Sequence, residues 1–458
     1  MNLENIKYFY FLGIGGVGMS ALARYFKAQK KNVFGYDKTS TKLTEELMKE
    51  GIKIHFDENL KLVKSEFANK KSEVLVVYTP AVPKEHVEYN FFSENGFTIM
   101  KRSEVLGELT KKSFTIAVAG THGKTTTSSL IAHILRTAKI DCSAFLGGIT
   151  QNYNTNLLIG RNRTTVVEAD EYDRSFLTLH PDIAVITSVD ADHLDIYGDK
   201  KIMHESYDLF AGQVKENGKL ILKKGVEQAV KCENKKSKII SYSLDSETDL
   251  FAKNISISKG EFHYEISNKG ETIKNISLGI PGRHNIENSV AAIAAVKEVG
   301  VDDETIKKAL ASFKGVKRRF EYHIKRKDLI YIDDYAHHPE ELKACITAIR
   351  DLYPDKKITG IFQPHLYTRT RDFANDFARS LDLLDELILL EIYPAREKPI
   401  EGITSTMLLK KMKLKEKKVC SKDDLLREIK QRKLEILLTA GAGDIDMFIE
   451  PITKLLSK

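Results

Sequence analysis

The sequence predicts an α/β protein of three domains. These are a Rossmann-like domain over residues 1–108, a P-loop-like central domain with a parallel sheet and an antiparallel flap over 109–314, and a second Rossmann-like domain over 315–458. Short apolar runs alternate with amphipathic helical patterns along most of the chain, which is typical of parallel sheets. Two glycine-rich turns, near residues 15 and 120, each follow a predicted strand and precede a predicted helix. A length of 458 residues suits about three domains of ~100–200 residues.

Composition and charge exclude several classes of protein. The 71 lysines and arginines exceed the 64 acidic residues by a modest +7 that is spread along the chain, so no nucleic-acid partner is predicted. The early apolar run over residues 8–14 is too short to span a membrane. The 4 cysteines show no CxxC spacing, which suits a reducing compartment. We therefore expect a cytoplasmic monomer or homodimer that acts on small molecules.

The N-terminal glycine-rich turn, GIGGVG at 13–18, has GxGxxG spacing, and the next predicted strand, Asn32–Tyr36, ends at Asp37. This arrangement predicts a pyrophosphate bound at the N-terminus of a helix. The predicted contacts are Gly13, Gly15, Gly16, Gly18 and Asp37. A further strand, Val74–Tyr78, runs into a turn over 79–83 that we expect to border the same crevice. A remote alternative is an NAD-dependent oxidoreductase with an ATP-binding domain, but no obvious hydride-transfer constellation follows the turn.

The second glycine-rich turn, GTHGKT at 120–125, predicts a nucleoside triphosphate site. Its glycines let backbone N–H groups point at phosphate oxygens, Lys124 can reach the β- and γ-phosphates, and the Thr125 hydroxyl can bind Mg²⁺. Val118 stands where the full Walker spacing has glycine, so the loop is a shortened variant. The predicted nucleotide contacts in this loop are Gly120, Thr121, Gly123, Lys124, Thr125 and Thr126.

Acidic motifs follow the next two predicted strands of the central domain. EADEYD at 168–173 comes after the strand at 164–167, and ADHLD at 191–195 comes after the strand at 183–189. Carboxylate oxygens are the hard ligands that Mg²⁺ prefers, and ligands bind at the carboxyl ends of strands in open α/β sheets. The first motif therefore predicts a metal and phosphate environment, with a solvated acidic turn as the alternative. His193 is a candidate metal ligand.

Two further features of the central domain are less specific. Residues 238–279 contain short alternating runs that predict an antiparallel flap at the edge of the domain. In GRHNIEN at 282–288, Asn285 and Asn288 lie three residues apart on one helical face. These asparagines can hydrogen-bond an adenine, or the segment can be an ordinary capped helix.

The third domain repeats the α/β pattern, with polar motifs after its strands. The predicted strands lie at 329–332, 357–362, 386–392 and 435–439, with helical patterns at 340–352 and 373–384. The motifs are DDYAHHP at 333–339, QPHLYTRTR at 363–371 and TAGAGD at 439–444. Arginines at strand ends are suited to bidentate capture of a carboxylate or phosphate.

Seven motifs in series resemble those of the Mur ligases, the ATP-dependent amide-forming enzymes of bacterial peptidoglycan precursor synthesis. They are GIGGVGMSALA at 13–23, GTHGKTTT at 120–127, EADEYD at 168–173, ADHLD at 191–195, GRHNIEN at 282–288, DDYAHHP at 333–339 and TAGAGDI at 439–445. The resemblance covers all three predicted domains. It implies that the first domain binds a UDP-sugar, so that the GxGxxG loop holds a UDP pyrophosphate and not NAD.

Within the family, the C-terminal motifs look most like those of the branch that joins L-alanine to the lactyl carboxylate of UDP-N-acetylmuramate through an acyl phosphate. The nearest alternative is the recycling branch, which adds a murein tripeptide to the same UDP-sugar. The resemblance implies ATP and two Mg²⁺ ions as cofactors. It also implies that Thr125 and Glu168 form the first Mg²⁺ site, that His193 binds the second ion, and that Lys124 is the phosphate-binding lysine.

The resemblance assigns further roles outside the phosphate loop. It implies nucleotide contacts from Asn285, Asn288 and Asp334, a place at the muramate carboxylate for His122, and an amino-acid end lined by Tyr335, His337 and Arg369. The residues implied to be catalytic are Lys124, His122, His337 and Arg369. One departure is Leu366, where the family often has the arginine of QPHRYTRTRD, so Arg369 or Arg371 must act without it. His337 or a nearby carboxylate can accept the proton of the attacking amine.

Overall fold

The computed structural model describes residues 3–83, 85–161, 164–190, 199–231, 237–258, 260–395 and 397–457. It contains three sheets and divides into two compact units. The first unit runs to Phe251 and includes Ser267–Glu271 and Asn288–Leu310; the second contains Ala252–Ile266, Thr272–Glu287 and the chain from Ala311 onward. The predicted α/β class is confirmed. Among the described residues, no helix is both long and apolar enough to cross a membrane.

The first sheet is parallel and has the strand order β3-β2-β1-β4-β5. Its strands are β1 Tyr8–Leu12, β2 Asn32–Tyr36, β3 Lys53–His55, β4 Val74–Tyr78 and β5 Thr98–Lys101. The helices are α1 Val17–Ala28, α2 Lys42–Lys49, α3 Leu60–Phe67, α4 Val87–Glu94 and α5 Arg102–Lys111, with 3₁₀ turns at Leu3–Asn5 and Lys71–Glu73. The strand order reverses beside β1, which is where open α/β sheets bind ligands.

The central sheet has the order β15-β14-β13-β12-β11-β10-β6-β9-β7-β8. Its strands are β6 Phe114–Ala119, β7 Cys142–Thr150, β8 Thr155–Leu158, β9 Thr164–Glu168, β10 Ile183–Ile186, β11 Lys219–Lys223, β12 Lys238–Ser243, β13 Leu250–Ser258, β14 Glu261–Asn268 and β15 Glu271–Leu278. The helices are α6 Lys124–Thr137, α7 Lys200–Gly212, α8 Arg283–Lys297 and α9 Asp303–Ser312, with 3₁₀ turns at Tyr172–Thr178 and Val226–Gln228.

The predicted flap lies at one end of this sheet, but its first strand was assigned the wrong direction. Strand β12 pairs in parallel with both β11 and β13, so residues 238–243 continue the parallel sheet. Alternation of buried and exposed residues indicates which face of a strand is covered and carries no information about the direction of its neighbour. The sequence pattern was therefore sufficient to place the strands and insufficient to orient β12.

The third sheet has the order β16-β17-β21-β18-β19-β20 and is parallel except for the β16–β17 pair. Its strands are β16 Glu321–Lys325, β17 Ile330–Asp334, β18 Ile358–Phe362, β19 Glu386–Leu390, β20 Glu416–Cys420 and β21 Ile436–Ala440. The helices are α10 Pro339–Leu352, α11 Tyr367–Asp372, α12 Ala374–Leu381, α13 Ser405–Lys411, α14 Leu425–Lys430 and α15 Ile449–Leu456, with a 3₁₀ turn at Asp444–Phe448. The four predicted strands are present, and the two edge strands β16 and β20 were not predicted.

One hydrophobic core joins the first sheet to the central sheet. It contains buried side chains from both, such as Phe9 and Phe11 of β1 with Ala117 and Ala119 of β6. Helix α5 also packs closely here, because a Cβ on Gly107 would lie 2.5 Å from the Thr178 carbonyl oxygen. The first two predicted domains thus share one compact unit, and the boundary at residue 108 stays a prediction.

Candidate active site

The phosphate loop connects β6 to α6 in the conformation that its glycines require. Gly120 has a φ of 129° and Gly123 a φ of 83°, both in the left-handed region that favours glycine. A Cβ at position 120 would overlap the hydroxyl of Thr187, and one at position 123 would overlap the amide oxygen of Asn288. The predicted strand, loop and helix are confirmed, and no larger residue fits at these two positions.

Two hydroxyl residues at the end of β10 hold the loop. The Thr187 hydroxyl donates to the His122 carbonyl oxygen at 2.5 Å, and the Ser188 hydroxyl accepts from the His122 amide at 2.8 Å and lies 2.8 Å from the Thr121 hydroxyl. The His122 ring lies 3.8 Å from the Asp190 carboxylate. Sequence reasoning did not select Thr187 or Ser188, although both belong to the predicted strand at 183–189 beside the loop.

We expect Gly120→Ala to lower the free energy of unfolding by about 2–4 kcal/mol, because the added methyl group meets the Thr187 hydroxyl and the backbone is strained for alanine. Thermal unfolding and ATP turnover measure the effect. The matched control is Gly212→Ala at the end of α7, where an added Cβ meets nothing within 4 Å. Because glycine in the middle of a helix is about 0.5–1 kcal/mol less stable than alanine, we expect this change at the helix end to be neutral or slightly stabilising. Equal melting temperatures for the two variants would contradict the assigned loop geometry.

Lys124 lies at the start of α6 among acidic side chains. Its ammonium group donates to the Gly120 carbonyl oxygen at 2.6 Å and to the Glu171 carboxylate at 2.8 Å. Burial lowers the pKa of Lys124, but the carboxylates of Glu171, Asp170 and Glu168 outweigh that effect, so the pKa is raised above its usual value. The lysine is therefore charged at neutral pH, as binding of a phosphate requires.

Thr125 and Glu168, both predicted as metal ligands, lie together. The Thr125 hydroxyl donates to one Glu168 oxygen at 3.0 Å, and the Gly147 amide donates to the other at 2.9 Å. Burial raises the pKa of Glu168, while the Lys124 ammonium and the Thr125 hydroxyl oppose that rise. A hydroxyl and a carboxylate are hard oxygen donors that fit Mg²⁺. The neighbouring Thr126 is buried in the first turn of α6.

The ligand predicted for the second metal ion is not placed by the structure. His193, with the motif ADHLD at 191–195, lies outside the described residues. Within the described ranges, no group of three or more His, Cys, Asp or Glu side chains is arranged to hold a metal ion. A metal site at the phosphate loop therefore rests on Thr125 and Glu168 and stays a prediction.

The N-terminal glycine-rich loop leads from β1 to α1, with Gly16 as the N-cap residue. The Gly15 amide donates to the Asp37 carboxylate at 2.7 Å, and a Cβ on Gly13 would lie 2.6 Å from the Thr79 methyl group. The turn that begins at Thr79 thus borders the loop, as expected. Arg102 was not selected from the sequence, yet its guanidinium lies 2.9 Å from the position of a Cβ on Gly18.

In this structure the Asp37 carboxylate binds backbone amides. One carboxylate oxygen accepts from the Gly15 amide, and the other accepts from the Thr39 amide at 3.1 Å. These bonds keep the loop amides in place at the start of α1. Contact of Asp37 with a ligand, which the GxGxxG spacing predicts, stays a prediction.

The two candidate asparagines of α8 have different surroundings. The Asn288 amide lies against Gly123 of the phosphate loop. The Asn285 side chain is buried and donates to the Pro281 carbonyl oxygen at 2.6 Å, which ties down the first turn of α8. Asn285 therefore fits the alternative of a capped helix, whereas Asn288 lies where a nucleotide phosphate is expected.

In the second unit, the two carboxylates at the end of β17 are fixed by an arginine and by backbone amides. Arg318 donates to Asp333 at 3.0 Å and to the Gly441 carbonyl oxygen at 2.7 Å, which joins the ends of β17 and β21. Asp334 accepts from the Phe320 and Ala336 amides, each at 2.7 Å. Burial raises the pKa of Asp334 to about 6, although the nearby Arg319 and the two amides oppose that rise. The arginines at 318 and 319 were not selected from the sequence.

The predicted amino-acid end of the site is an aromatic and histidine cluster. The rings of Tyr335 and His337 have centroids 5.2 Å apart, and those of His337 and His365 are 6.0 Å apart. Arg369 is buried, and its guanidinium lies 3.4 Å from His365 Nδ1. Leu366 has a φ of 70° and donates through its amide to the Tyr393 carbonyl oxygen at 2.9 Å. The structure therefore brings together the three residues predicted for this end.

Family models match most of the chain in three consecutive segments. The Mur ligase family catalytic domain matches residues 8–114, the Mur ligase middle domain residues 118–296, and the Mur ligase glutamate ligase domain residues 318–444. The chain belongs to the Mur ligase family. The resemblance that the seven motifs predict is confirmed.

Similar proteins of the same length are named for one particular reaction within this family. The chain is 49% identical to a UDP-N-acetylmuramate–L-alanine ligase of Parabacteroides distasonis, covering 100% of this chain and 99% of that one. It is 51% identical to the ligase of the same name from Cytophaga hutchinsonii, over 99% and 98%. A crystal structure of UDP-N-acetylmuramate–alanine ligase from Thermotoga maritima matches with a TM-score of 0.81 and 27% identity, over 98% and 100%. A murein peptide ligase from Psychrobacter arcticus shares the fold, with a TM-score of 0.73 and 23% identity, over 98% and 99%.

Proposed function

We propose that this chain joins L-alanine to the lactyl carboxylate of UDP-N-acetylmuramate at the expense of ATP, in peptidoglycan precursor synthesis. The observation that carries the proposal is the identity of about half of all residues with ligases named for this reaction. The aligned region includes the C-terminal residues, where the predicted amino-acid end lies. Membership in a ligase family gives no support to the alternative of an NAD-dependent oxidoreductase.

The chemistry explains why a triphosphate site is needed. A carboxylate is a poor electrophile toward an amine, because oxide would have to leave. Transfer of the ATP γ-phosphoryl group to the muramate carboxylate makes an acyl phosphate, from which inorganic phosphate leaves. Stabilisation of charge on the transferring phosphoryl group is the main task of the protein in such a step.

The phosphate loop supplies that stabilisation. Lys124 places a positive charge beside the loop, and the backbone N–H groups that follow Gly123 form the N-terminus of α6. Bound Mg²⁺ ions neutralise phosphate charge. Thr125 and Glu168 provide a hydroxyl and a carboxylate as metal ligands. From the family resemblance we propose that two ions bind and that His193 is a ligand of the second.

The remaining predicted residues divide between the two other substrates. We assign the UDP pyrophosphate to the N-terminal loop that contains Gly13, Gly15, Gly16 and Gly18, because this loop leads into the N-terminus of α1. His122 is assigned to the muramate carboxylate. Tyr335, His337 and Arg369 are assigned to alanine, and Arg369 is the candidate for its carboxylate because a guanidinium forms bidentate bonds with carboxylates.

If Arg369 holds the alanine carboxylate, Arg369→Lys is expected to raise the KM for alanine by about tenfold or more. Lysine cannot present the planar fork, and hydrogen bonds to charged groups contribute ~1.5–3 kcal/mol each, with ~1.4 kcal/mol per decade of affinity. Steady-state kinetics with alanine varied at saturating ATP and UDP-sugar measure this. The KM for ATP should change little.

Leu366, which stands where the family often has arginine, allows a second variant that should have the opposite effect to Arg369→Lys. Leu366→Arg restores the arginine that the family often has and introduces no new strain, since leucine already occupies a left-handed backbone conformation there. We expect it to be tolerated and to lower the KM for alanine. A selective rise in the KM for UDP-N-acetylmuramate or ATP in Arg369→Lys would show that this arginine serves another group.

Phosphate release tests the proposed function. Purified protein with ATP, Mg²⁺ and UDP-N-acetylmuramate should release phosphate rapidly with alanine and slowly, if at all, with the tripeptide. Glycine and serine measure how strictly alanine is selected. Faster turnover with the tripeptide would reassign the chain to the recycling reaction, and no phosphate release with any amine would overturn the proposal.

Three broader assignments accompany this function. We propose that the enzyme works in the cytoplasm, where nucleotide-linked precursors and ATP are found, and that it is a monomer or a homodimer. We also keep the predicted functional division at residues 108 and 314 into UDP-sugar, ATP and amino-acid parts.

A further inference from the structure

The contacts of the His337 ring define which of its nitrogens is basic. His337 Nδ1 lies 3.0 Å from the Tyr335 carbonyl oxygen and 3.2 Å from the Glu341 carboxylate. Both neighbours of Nδ1 can only accept hydrogen bonds, so Nδ1 must carry the proton. In the neutral ring the lone pair is therefore on Nε2, at the opposite edge of the imidazole.

Glu341 is itself held in place. One of its oxygens accepts from the His337 amide at 3.0 Å and from the His338 amide at 3.3 Å, as in a capping box at the start of α10. Its other oxygen lies 3.5 Å from the Arg319 guanidinium. The side chains of His337 and Glu341 are only 16% and 14% exposed. Glu341 thus has a fixed position from which its negative charge acts on the His337 ring.

We propose that Glu341 is a positioning residue that holds His337 with Nε2 as its basic atom, and that His337 Nε2 accepts the proton of the attacking amine. The inference rests on the proposed ligase function. The amine nitrogen of alanine bonds to the acyl carbon, and the bond from that carbon to the phosphate oxygen breaks. One proton passes from nitrogen to His337 Nε2, and inorganic phosphate leaves with its electron pair. The negative charge of Glu341 stabilises the imidazolium that results, as an acidic partner does in a catalytic triad.

Other titratable groups near His337 also contribute to the electrostatic potential at its ring. The titratable or charged groups around the pair include Tyr335, His365, Arg319, Arg369, His284, Asp334 and Cys345. Burial and the nearby Arg319 lower the pKa of His284 to about 4, so His284 is neutral near pH 7. Glu341 is the carboxylate that the structure places in contact with the His337 ring, at 3.2 Å from Nδ1.

Glu341→Gln tests the role of the charge alone. Glutamine has the same size and its oxygen can still accept from the two backbone amides, so the start of α10 is kept. Loss of an opposite charge this close to an imidazole disfavours its protonated form. We expect the acid limb of the kcat–pH profile to move to lower pH and kcat with alanine at pH 7 to fall about 10–100-fold. Glu341→Asp should recover part of the loss.

Hydroxylamine separates this inference from the proposed function. It attacks acyl phosphates without a protein base, because it is largely uncharged near neutral pH. The wild-type enzyme should form a hydroxamate from UDP-N-acetylmuramate and ATP, and Glu341→Gln should lose far more turnover with alanine than with hydroxylamine. If the wild-type enzyme forms no hydroxamate, the acyl-phosphate function itself fails. If the variant loses both activities equally, or keeps the wild-type pH profile, the positioning role is wrong.

Glu340→Gln is the matched control on the same helix. Its carboxylate is 61% exposed and lies 3.9 Å from Lys343, and its removal takes one negative charge from the same first turn of α10. We expect a wild-type pH profile from this variant. A shift equal to that of Glu341→Gln would show that the effect is a general change in charge and would overturn the proposal.

Discussion

Lys124→Ala is expected to reduce ATP turnover by at least about 10²–10³-fold while UDP-N-acetylmuramate still binds. The structure holds this lysine directly against the phosphate loop, with its ammonium group 2.6 Å from the Gly120 carbonyl oxygen. Loss of one well-placed electrostatic stabiliser commonly costs this much in rate. Steady-state ADP formation measures the first effect, and calorimetric titration of the UDP-sugar measures the second.

The same substitution removes the partner of buried carboxylates, so folding needs its own control. Glu171 is buried and its carboxylate contacts Lys124 at 2.8 Å, and removal of one partner of a buried ion pair costs about 3–5 kcal/mol. Lys124→Arg keeps the positive charge and should keep more of the stability, yet its longer, planar head does not fit the same contacts. Near-normal turnover in a folded Lys124→Ala protein would exclude the loop as the triphosphate site.

Glu168→Gln should produce the second large effect, a fall in kcat of about 10²-fold that higher Mg²⁺ partly restores. Glutamine keeps the size of the side chain and loses the negative charge that binds a hard cation. Its amide also cannot accept at both ends, so either the Thr125 hydroxyl or the Gly147 amide loses its acceptor. Activity measured over a wide range of Mg²⁺ concentrations gives the apparent affinity for the metal.

A substitution of the nearby Asp170 is the control for Glu168→Gln. Its carboxylate accepts from the Tyr172 amide at 3.1 Å, a bond that asparagine can keep. Asp170→Asn removes a neighbouring charge and should change the Mg²⁺ requirement much less than Glu168→Gln does. A Mg²⁺ dependence that is unchanged in Glu168→Gln would move the metal site away from this carboxylate.

Local sequence patterns were enough to locate most of the framework. Strands β2 and β4 begin and end at the residues predicted from the sequence, and the glycines of both loops indicate left-handed or crowded backbone. Edge strands were harder to recognise, since EKKVC in β20 is mostly charged and its place in the sheet depends on pairing with β19. The direction of β12 likewise depends on its neighbours and not on its own residues.

Site residues could be predicted only where a local sequence motif indicates their chemical role. Lys124 and Thr125 follow from glycine-rich spacing, whereas the support of the loop by Thr187 and Ser188 depends on two strands that meet only in the folded sheet. Glu341 looked like an ordinary residue in the first turn of a helix. Its contact with His337 depends on the path of the turn before α10, which no spacing rule specifies.

Transfer of oxygen tests the central claim most directly. If the enzyme activates the muramate carboxylate as an acyl phosphate, UDP-N-acetylmuramate labelled with heavy oxygen in that carboxylate should pass one labelled oxygen to inorganic phosphate for each alanine joined. Mass spectrometry of the phosphate measures this. Unlabelled phosphate, formed while alanine is still being joined, would contradict the account.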